Sequence, residues 1–145
     1  MGVTAVLAER AAVDRSGCDD PGLIRRVGHS LLDWLACAIA GVDEPASRRF
    51  ADFVAAQGAR GIATVVGTTA RTSPLLAAQA NGLISHALDF DDANLTMPGH
   101  PGIVLFPGLL ALAEQQRSSG LQLAQAFLAG YDAGCRIGAL VAPGH

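Results

Sequence analysis

The chain has 145 residues, enough for one domain with a buried core, and half of them are hydrophobic. The net charge of −3 and the lack of a basic stripe argue against a nucleic-acid partner. All ten basic residues are arginine, which excludes a Schiff-base lysine and the usual anchor for pyridoxal phosphate within this sequence.

The first half of the chain is predicted to be mainly helical. Across the whole chain, 27 alanines and 18 leucines favour helix, and β-branched and aromatic residues are few. A short helix is predicted from Val3 to Val13. Asp20 can cap a second helix that ends near Gly41, because its apolar residues recur every three or four positions. A third helix is predicted over residues 46–57.

The second half begins with residues 62–66, the main β-branched run, which we predict to be an extended segment or a minor strand. Thr72 or Ser73 can cap a fourth helix over residues 74–88. A loop over residues 89–99 follows. The fold class expected is therefore all-α, a helical bundle with at most one short strand.

Two further helices complete the prediction. Pro101 can start the fifth, and Pro107 either kinks that helix or marks its beginning. The sixth is predicted over residues 121–140, with Asp132 and Arg136 four residues apart in the favourable order for an ion pair. Several of these helices are apolar on more than one side, so we expect a homo-oligomer or a complementing chain to cover them.

The cysteines and the apolar segments indicate in which cellular compartment the protein is expected. Cys18, Cys37 and Cys135 are odd in number and form no C-x-x-C pair, which is typical of a reducing environment. Glu9 and Arg10 interrupt the place where a signal peptide would need an apolar core. The longest apolar stretch, residues 31–42, is shorter than the roughly 20 residues of a spanning helix. We expect a cytoplasmic protein with no membrane partner.

Titratable groups are concentrated between Asn81 and Gly102, where three aspartates and two histidines fall within 22 residues. Asn81, Ser85 and Asp89 are four residues apart, so they are predicted to share one face at the end of the fourth helix. Asp91 lies outside this register and is expected to face solvent or to cap the loop. Replacing Asp91 with asparagine is therefore expected to change any activity by no more than about tenfold.

This concentration of charge suggests proton transfer to or from a small carboxylic acid. Crowded carboxylates raise one another's pKa, and a carboxylate held near neutral pH can give or take a proton. His100 adds a group that titrates in the physiological range.

Simpler interpretations stay open for the same residues. Each aspartate is consistent with capping and solvation, and His86 with a buried core histidine whose ring is hydrogen-bonded. A divalent cation is a further alternative, but the segment lacks the glycine and the distal glutamate of an EF-hand loop, and no H-E-x-x-H motif is present. We expect no metal.

Several segments resemble a known family. The sequences NGLISHALDFDD, HPG, LLALAE and LAGYDAGCRIG, preceded by LLDWLACAIAG and ATVVG, resemble the N-terminal helical region of the MmgE/PrpD family. That family includes 2-methylcitrate dehydratase and cis-aconitate decarboxylase. The resemblance implies a helical domain with a smaller α/β lid domain, usually a homodimer, and cofactor-free chemistry on di- or tricarboxylates.

The resemblance also implies roles for individual residues. The family's motif aspartate falls on Asp89 and its histidine before proline on His100, which are therefore the expected catalytic residues. His86 and Asp92 are expected to bind or orient the substrate. Decarboxylase members carry a threonine where this chain has Ala93, which favours a dehydratase of the 2-methylcitrate type over a decarboxylase or another small-acid lyase or isomerase.

The resemblance covers the first part of the family fold. Residues 1–145 are expected to form a single helical domain, the N-terminal portion of a larger catalytic domain, with the lid and a catalytic-site lysine absent. His145 resembles the start of the family's next histidine motif. The alternatives are a non-catalytic helical module for dimerisation or interaction and an independent small-acid binding protein.

Overall fold

A computed structural model describes residues 2–13, 18–58 and 61–141, so His145 lies outside the described part. Within these ranges the chain forms six helices and one small antiparallel sheet. In chain order they are α1 Val3–Val13, α2 Pro21–Gly41, α3 Pro45–Ala56, β1 Ala63–Thr64, β2 Arg71–Thr72, α4 Pro74–His86, α5 Pro101–Gln116 and α6 Gly120–Val141. The predicted all-α class is confirmed.

The expected short strand has a partner. Ala63 pairs with Thr72 and Thr64 with Arg71, so β1 and β2 form a hairpin of two-residue strands. An extended segment on its own would leave backbone N–H and C=O groups unpaired, and the second strand satisfies them.

Two predicted helix starts are confirmed by their capping contacts. The Asp20 side chain accepts a hydrogen bond from the Leu23 amide at 2.9 Å. The Ser73 hydroxyl accepts one from the Leu76 amide at 3.4 Å, which settles the choice between Thr72 and Ser73. α5 starts at Pro101 and continues through Pro107, so the alternative that the helix begins at Pro107 is wrong.

The core lies where α2, α5 and α6 meet. Phe106 is completely buried, with its ring centroid 5.6 Å from Trp34 and 4.2 Å from Phe127. Ile84 of α4 belongs to the same apolar cluster. Burying aromatic side chains of this size contributes strongly to the apolar stabilisation of the core.

Asn81 supports the fold instead of forming part of an open polar face. Its side chain is fully buried and donates to the Thr64 carbonyl while accepting from the Val66 amide, both at 2.9 Å. Glu114 of α5 accepts a hydrogen bond from the Thr64 amide at 2.6 Å on the other side. These two side chains hold the hairpin against α4 and α5, because a buried amide needs partners for its own polar atoms.

Large apolar side chains remain exposed on several helices. They include Leu32 and Ile39 of α2, Val104 and Leu112 of α5, and Leu121, Ile137, Leu140 and Val141 of α6. Within the described residues, no helix is long and apolar enough to cross a membrane.

Candidate active site

The end of α4 and the loop that follows form the site. α4 ends at His86, two residues earlier than predicted. Asp89 then adopts a left-handed backbone conformation with φ 54°, which aspartate tolerates better than most residues. The chain turns there and returns to α5 at Pro101.

This turn separates the residues that were predicted to share one helix face. Asn81 and Ser85 are buried within α4, whereas the Asp89 side chain is 76% exposed. The polar stripe predicted from the spacing therefore does not extend to Asp89, because the helix has already ended.

Asp91 occupies the centre of the site, and the expectation that it faces solvent is wrong. Its side chain is only 1% exposed. Its Oδ1 atom lies 2.9 Å from Nδ1 of His86, and its Oδ2 atom lies 3.3 Å from Nδ1 of His100. The reversal of the chain at Asp89 turns the Asp91 side chain inward, toward the Nδ1 atoms of both histidines.

Asp89 lies on the opposite side of the same two rings. Its Oδ1 atom is 3.8 Å from Nε2 of His86 and 3.7 Å from Nε2 of His100. The ring centroids of the two histidines are 5.0 Å apart. The structure thus brings together Asp89, His86 and His100, three of the four residues predicted from the sequence.

Hydrogen bonds define the protonation of His100. Its Nδ1 atom is 2.9 Å from the Asp92 carbonyl and 3.3 Å from the Asp91 carbonyl, so Nδ1 carries a proton and Nε2 faces Asp89. Burial lowers the pKa of His100, but the charges of Asp91 and Asp89 and the two carbonyls outweigh it and raise the pKa above its usual 6.5. The imidazolium form therefore extends to higher pH than in a free histidine.

Asp92, the fourth residue predicted from the sequence, makes its side-chain hydrogen bond at the first turn of α5. Its Oδ1 atom accepts a hydrogen bond from the Gly102 amide at 2.9 Å. Burial raises the pKa of this carboxyl, the hydrogen bond from Gly102 lowers it, and the charges of Asp33 and Asp91 raise it further, for a net increase. A carboxylate at this position also interacts favourably with the N-terminal end of the helix dipole.

Gly102 allows the close approach of Asp92, and this contact is testable. A Cβ atom at residue 102 would lie 2.6 Å from Oδ1 of Asp92, so Gly102→Ala must displace the carboxylate and break its hydrogen bond. We expect the free energy of unfolding to fall by about 1 kcal/mol despite the better helix propensity of alanine.

Gly108 of the same helix is the matched control. A Cβ atom there would have nothing within 4 Å, so Gly108→Ala should raise the free energy of unfolding by about 0.5–1 kcal/mol. Both values are measured by urea unfolding followed by circular dichroism. Equal stabilisation by the two substitutions would show that the Asp92 contact contributes nothing.

The loop is fastened to α6 by a residue that the sequence interpretation missed. The Asn94 amide donates a hydrogen bond to the Tyr131 hydroxyl, and its oxygen accepts from the Thr96 amide at 2.7 Å and the Met97 amide at 3.1 Å. Met97 packs so closely on Gly138 that a Cβ atom there would lie 2.3 Å from the Met97 Cα atom. The available signal was an asparagine within a loop that contains Pro98 and Gly99, since asparagine side chains commonly bond to the backbone of turns.

The site also has the composition of a cation site. One ligand-type atom each from His86, Asp89, Asp91 and His100 lies within 4.8 Å of the others. Both Nδ1 atoms already contact Asp91 or backbone carbonyls, which leaves the two Nε2 atoms and the exposed Asp89 carboxylate open. The absence of a metal stays a prediction.

Comparison with known proteins agrees with the motifs in this loop. The sequence model of the MmgE/PrpD N-terminal domain matches residues 9–145. The chain belongs to the MmgE/PrpD family. The resemblance predicted from the SHALDFDD and HPG segments is therefore confirmed.

Curated relatives within the MmgE/PrpD family are fungal proteins. The chain is 33% identical, over 123 residues and 80% of its length, to a cis-aconitate decarboxylase-like protein (oryM) of Aspergillus oryzae. It is 28% identical, over 142 residues and 94% of its length, to cis-aconitate decarboxylase of Aspergillus terreus. The matches span only 26% and 29% of the length of these two relatives.

Proposed function

We propose that this chain is the N-terminal part of a lyase that acts on a di- or tricarboxylate by proton transfer, without a cofactor, in the manner of 2-methylcitrate dehydratase. The observation that supports the proposal most directly is the convergence of two imidazole Nε2 atoms on the exposed Asp89 carboxylate, at 3.8 and 3.7 Å. A base beside two groups that can carry positive charge suits a substrate rich in carboxylates.

In the proposed reaction, Asp89 removes a proton from the carbon next to a substrate carboxylate. The electron pair of that C–H bond forms the double bond, and the hydroxyl group on the neighbouring carbon leaves. His100, with its raised pKa, binds a substrate carboxylate as an imidazolium or gives its proton to the departing hydroxyl, which leaves as water. His86 and Asp92 are proposed to orient the substrate.

Decarboxylation is the second candidate, because the curated relatives are named as cis-aconitate decarboxylase or decarboxylase-like. In that reaction carbon dioxide leaves and the same groups return a proton to carbon. Ala93, at the place where decarboxylase members of the family carry threonine, favours dehydration.

The remaining alternatives are not catalytic: a helical module for dimerisation or interaction, or a small-acid binding protein. The first predicts a folded chain whose acidic loop can be changed without loss of function, and the second predicts binding of the acid without turnover.

Residues 1–145 are proposed to be one helical portion of a larger catalytic domain, completed by other segments. The large apolar side chains exposed on α2, α5 and α6 support this proposal, since extensive exposed apolar surface commonly marks a contact with other protein. The 145-residue chain is expected to associate when purified. Light scattering should report a mass above that of the 14.8 kDa chain, and a stable monomer at high concentration would contradict the expectation.

The proposed activity is tested by joining residues 1–145 to the C-terminal remainder of Aspergillus terreus cis-aconitate decarboxylase, in place of its matched segment. The joined protein, shown to be folded by its thermal transition, is assayed with 2-methylcitrate for loss of water and with cis-aconitate for loss of carbon dioxide. Turnover of 2-methylcitrate supports the dehydratase, and turnover of cis-aconitate alone supports the second candidate. A folded protein with neither activity contradicts both.

A further inference from the structure

The contacts of Asp91 differ between the two histidines. His86 has one hydrogen-bond contact at Nδ1, the Asp91 Oδ1 atom at 2.9 Å. His100 has two backbone carbonyls at Nδ1, and the Asp91 Oδ2 atom at 3.3 Å is close without making a hydrogen bond. Asp91 therefore determines the state of His86, whereas the backbone determines that of His100.

Because the Asp91 carboxylate is buried, its contact with His86 strongly constrains which nitrogen of that ring carries the proton. The Asp91 side chain is 1% exposed, and a buried carboxylate that accepts a hydrogen bond keeps the proton of a neutral imidazole on the near nitrogen. The far nitrogen, Nε2, is then left with its lone pair. In His86 that atom faces Asp89 at 3.8 Å, on a ring that remains partly exposed to solvent.

We propose that Asp91 and His86 form a carboxylate–imidazole pair in which Asp91 is a positioning residue and His86 is a second proton-transferring group of the site. The inference rests on the proposed function and extends it, since the sequence interpretation gave Asp91 no part in the site and gave His86 only a role in orienting the substrate.

Chemically, the pair works as follows. Neutral His86 takes a proton at Nε2 from the substrate or from Asp89, and the resulting imidazolium is stabilised by the charge of Asp91 through the Nδ1–H bond. After the unsaturated product leaves, Nε2 releases that proton to solvent, which restores neutral His86. A buried carboxylate that orients an imidazole and stabilises its protonated form is a recurring arrangement at sites of proton transfer.

The inference is tested on the 145-residue chain through the tautomers of its histidines, with no need for activity. Long-range ¹H–¹⁵N spectra of the imidazole rings, recorded at a pH where the rings are neutral, identify which nitrogen carries the proton. The expected result is a proton on Nδ1 in both His86 and His100. Exposed His29 serves as an internal reference for an unconstrained ring.

Substitutions at Asp91 then distinguish a specific effect on the His86 tautomer from a general loss of structure. In Asp91→Ala, His86 loses its acceptor and should move toward the Nε2–H tautomer, while His100 keeps Nδ1–H through its two carbonyls. Asp91→Asn retains an acceptor oxygen and should restore Nδ1–H in His86. Asp89→Asn is the matched control. It removes a carboxylate charge at a similar distance from both rings, but on the side of the Nε2 atoms, so the acceptors at Nδ1 stay in place.

Two outcomes overturn the inference. One is an Nε2–H tautomer of His86 in the unmodified chain, a measurement that no folding defect of a variant can obscure. The other is an Nδ1–H tautomer of His86 that persists in Asp91→Ala. Either result leaves the proposed function of Asp89 and His100 untouched, since that function is judged by the turnover of the joined protein.

Discussion

Replacing Asp89 with asparagine, or His100 with alanine, is expected to lower kcat/KM of the joined protein at least about a hundredfold, with the folded fraction unchanged. Loss of a positioned proton-transfer group typically costs about 10²–10⁴ in rate. Both side chains are partly or largely exposed, so neither substitution opens a cavity in the core. The loss should therefore appear in the rate and leave the stability nearly intact.

The backbone at residue 89 dictates the choice of substitution. Asp89 has φ 54°, a conformation in which asparagine is at least as well tolerated as aspartate, whereas alanine would add strain. Asp89→Asn thus removes the charge and keeps the turn.

Asp43→Asn, which changes an exposed carboxylate paired with Arg48, is the control for charge alone and should stay within about twofold of the unmodified rate. The comparison is made by steady-state kinetics with circular dichroism of each variant. If Asp89 and His100 prove as unimportant as Asp43, the acidic loop is only a solvated helix end.

The 145-residue chain alone is expected to give no measurable turnover of either acid. A site for this chemistry must hold acid, base and carboxylate-binding groups in fixed positions and exclude water. The carboxylates of Asp89 and Asp91 lie within 3.8 Å of ring nitrogens of the two histidines, and the sequence contains no lysine that could bind a substrate carboxylate. The Asp89 carboxylate is 76% exposed, so water reaches the base directly.

The measurement compares purified 145-residue chain with the joined protein at equal concentration, using a sensitive assay for the unsaturated product. The Asp89→Asn form of the same short chain detects a contaminating enzyme, because contamination would survive the substitution. Steady turnover by the short chain that disappears in Asp89→Asn would show that these residues are sufficient, and the requirement for further segments would be abandoned.

Local sequence rules predicted the helices well. The starts of α2, α4 and α5 follow from capping residues or from proline at the first helical position, and these signals act within a few residues of where they are read. Asp132 and Arg136 form the predicted ion pair at 2.7 Å for the same reason, since positions four apart are neighbours on any helix.

The site was predicted only in part. The segment was found because it concentrates aspartates and histidines, and Asp89, His100 and His86 were assigned from the resemblance to the family. The roles of Asp89 and Asp91 depended on extending α4 past His86, and one residue with positive φ reversed which carboxylate is buried. Asn81 was misassigned because its partners, Thr64 and Val66, are at least 15 residues away in the sequence.

The attachment of the loop to α6 limits how the chain can be shortened. His86 is held by α4, but the loop that carries His100 depends on Asn94 bonding to Tyr131 and on Met97 lying against Gly138. A deletion from the C-terminal side that reached Gly138 would remove no acidic or histidine residue of the site, yet it would remove the part of α6 on which Met97 lies. Minimal versions of this domain for screening or crystallisation should therefore keep α6 through Val141.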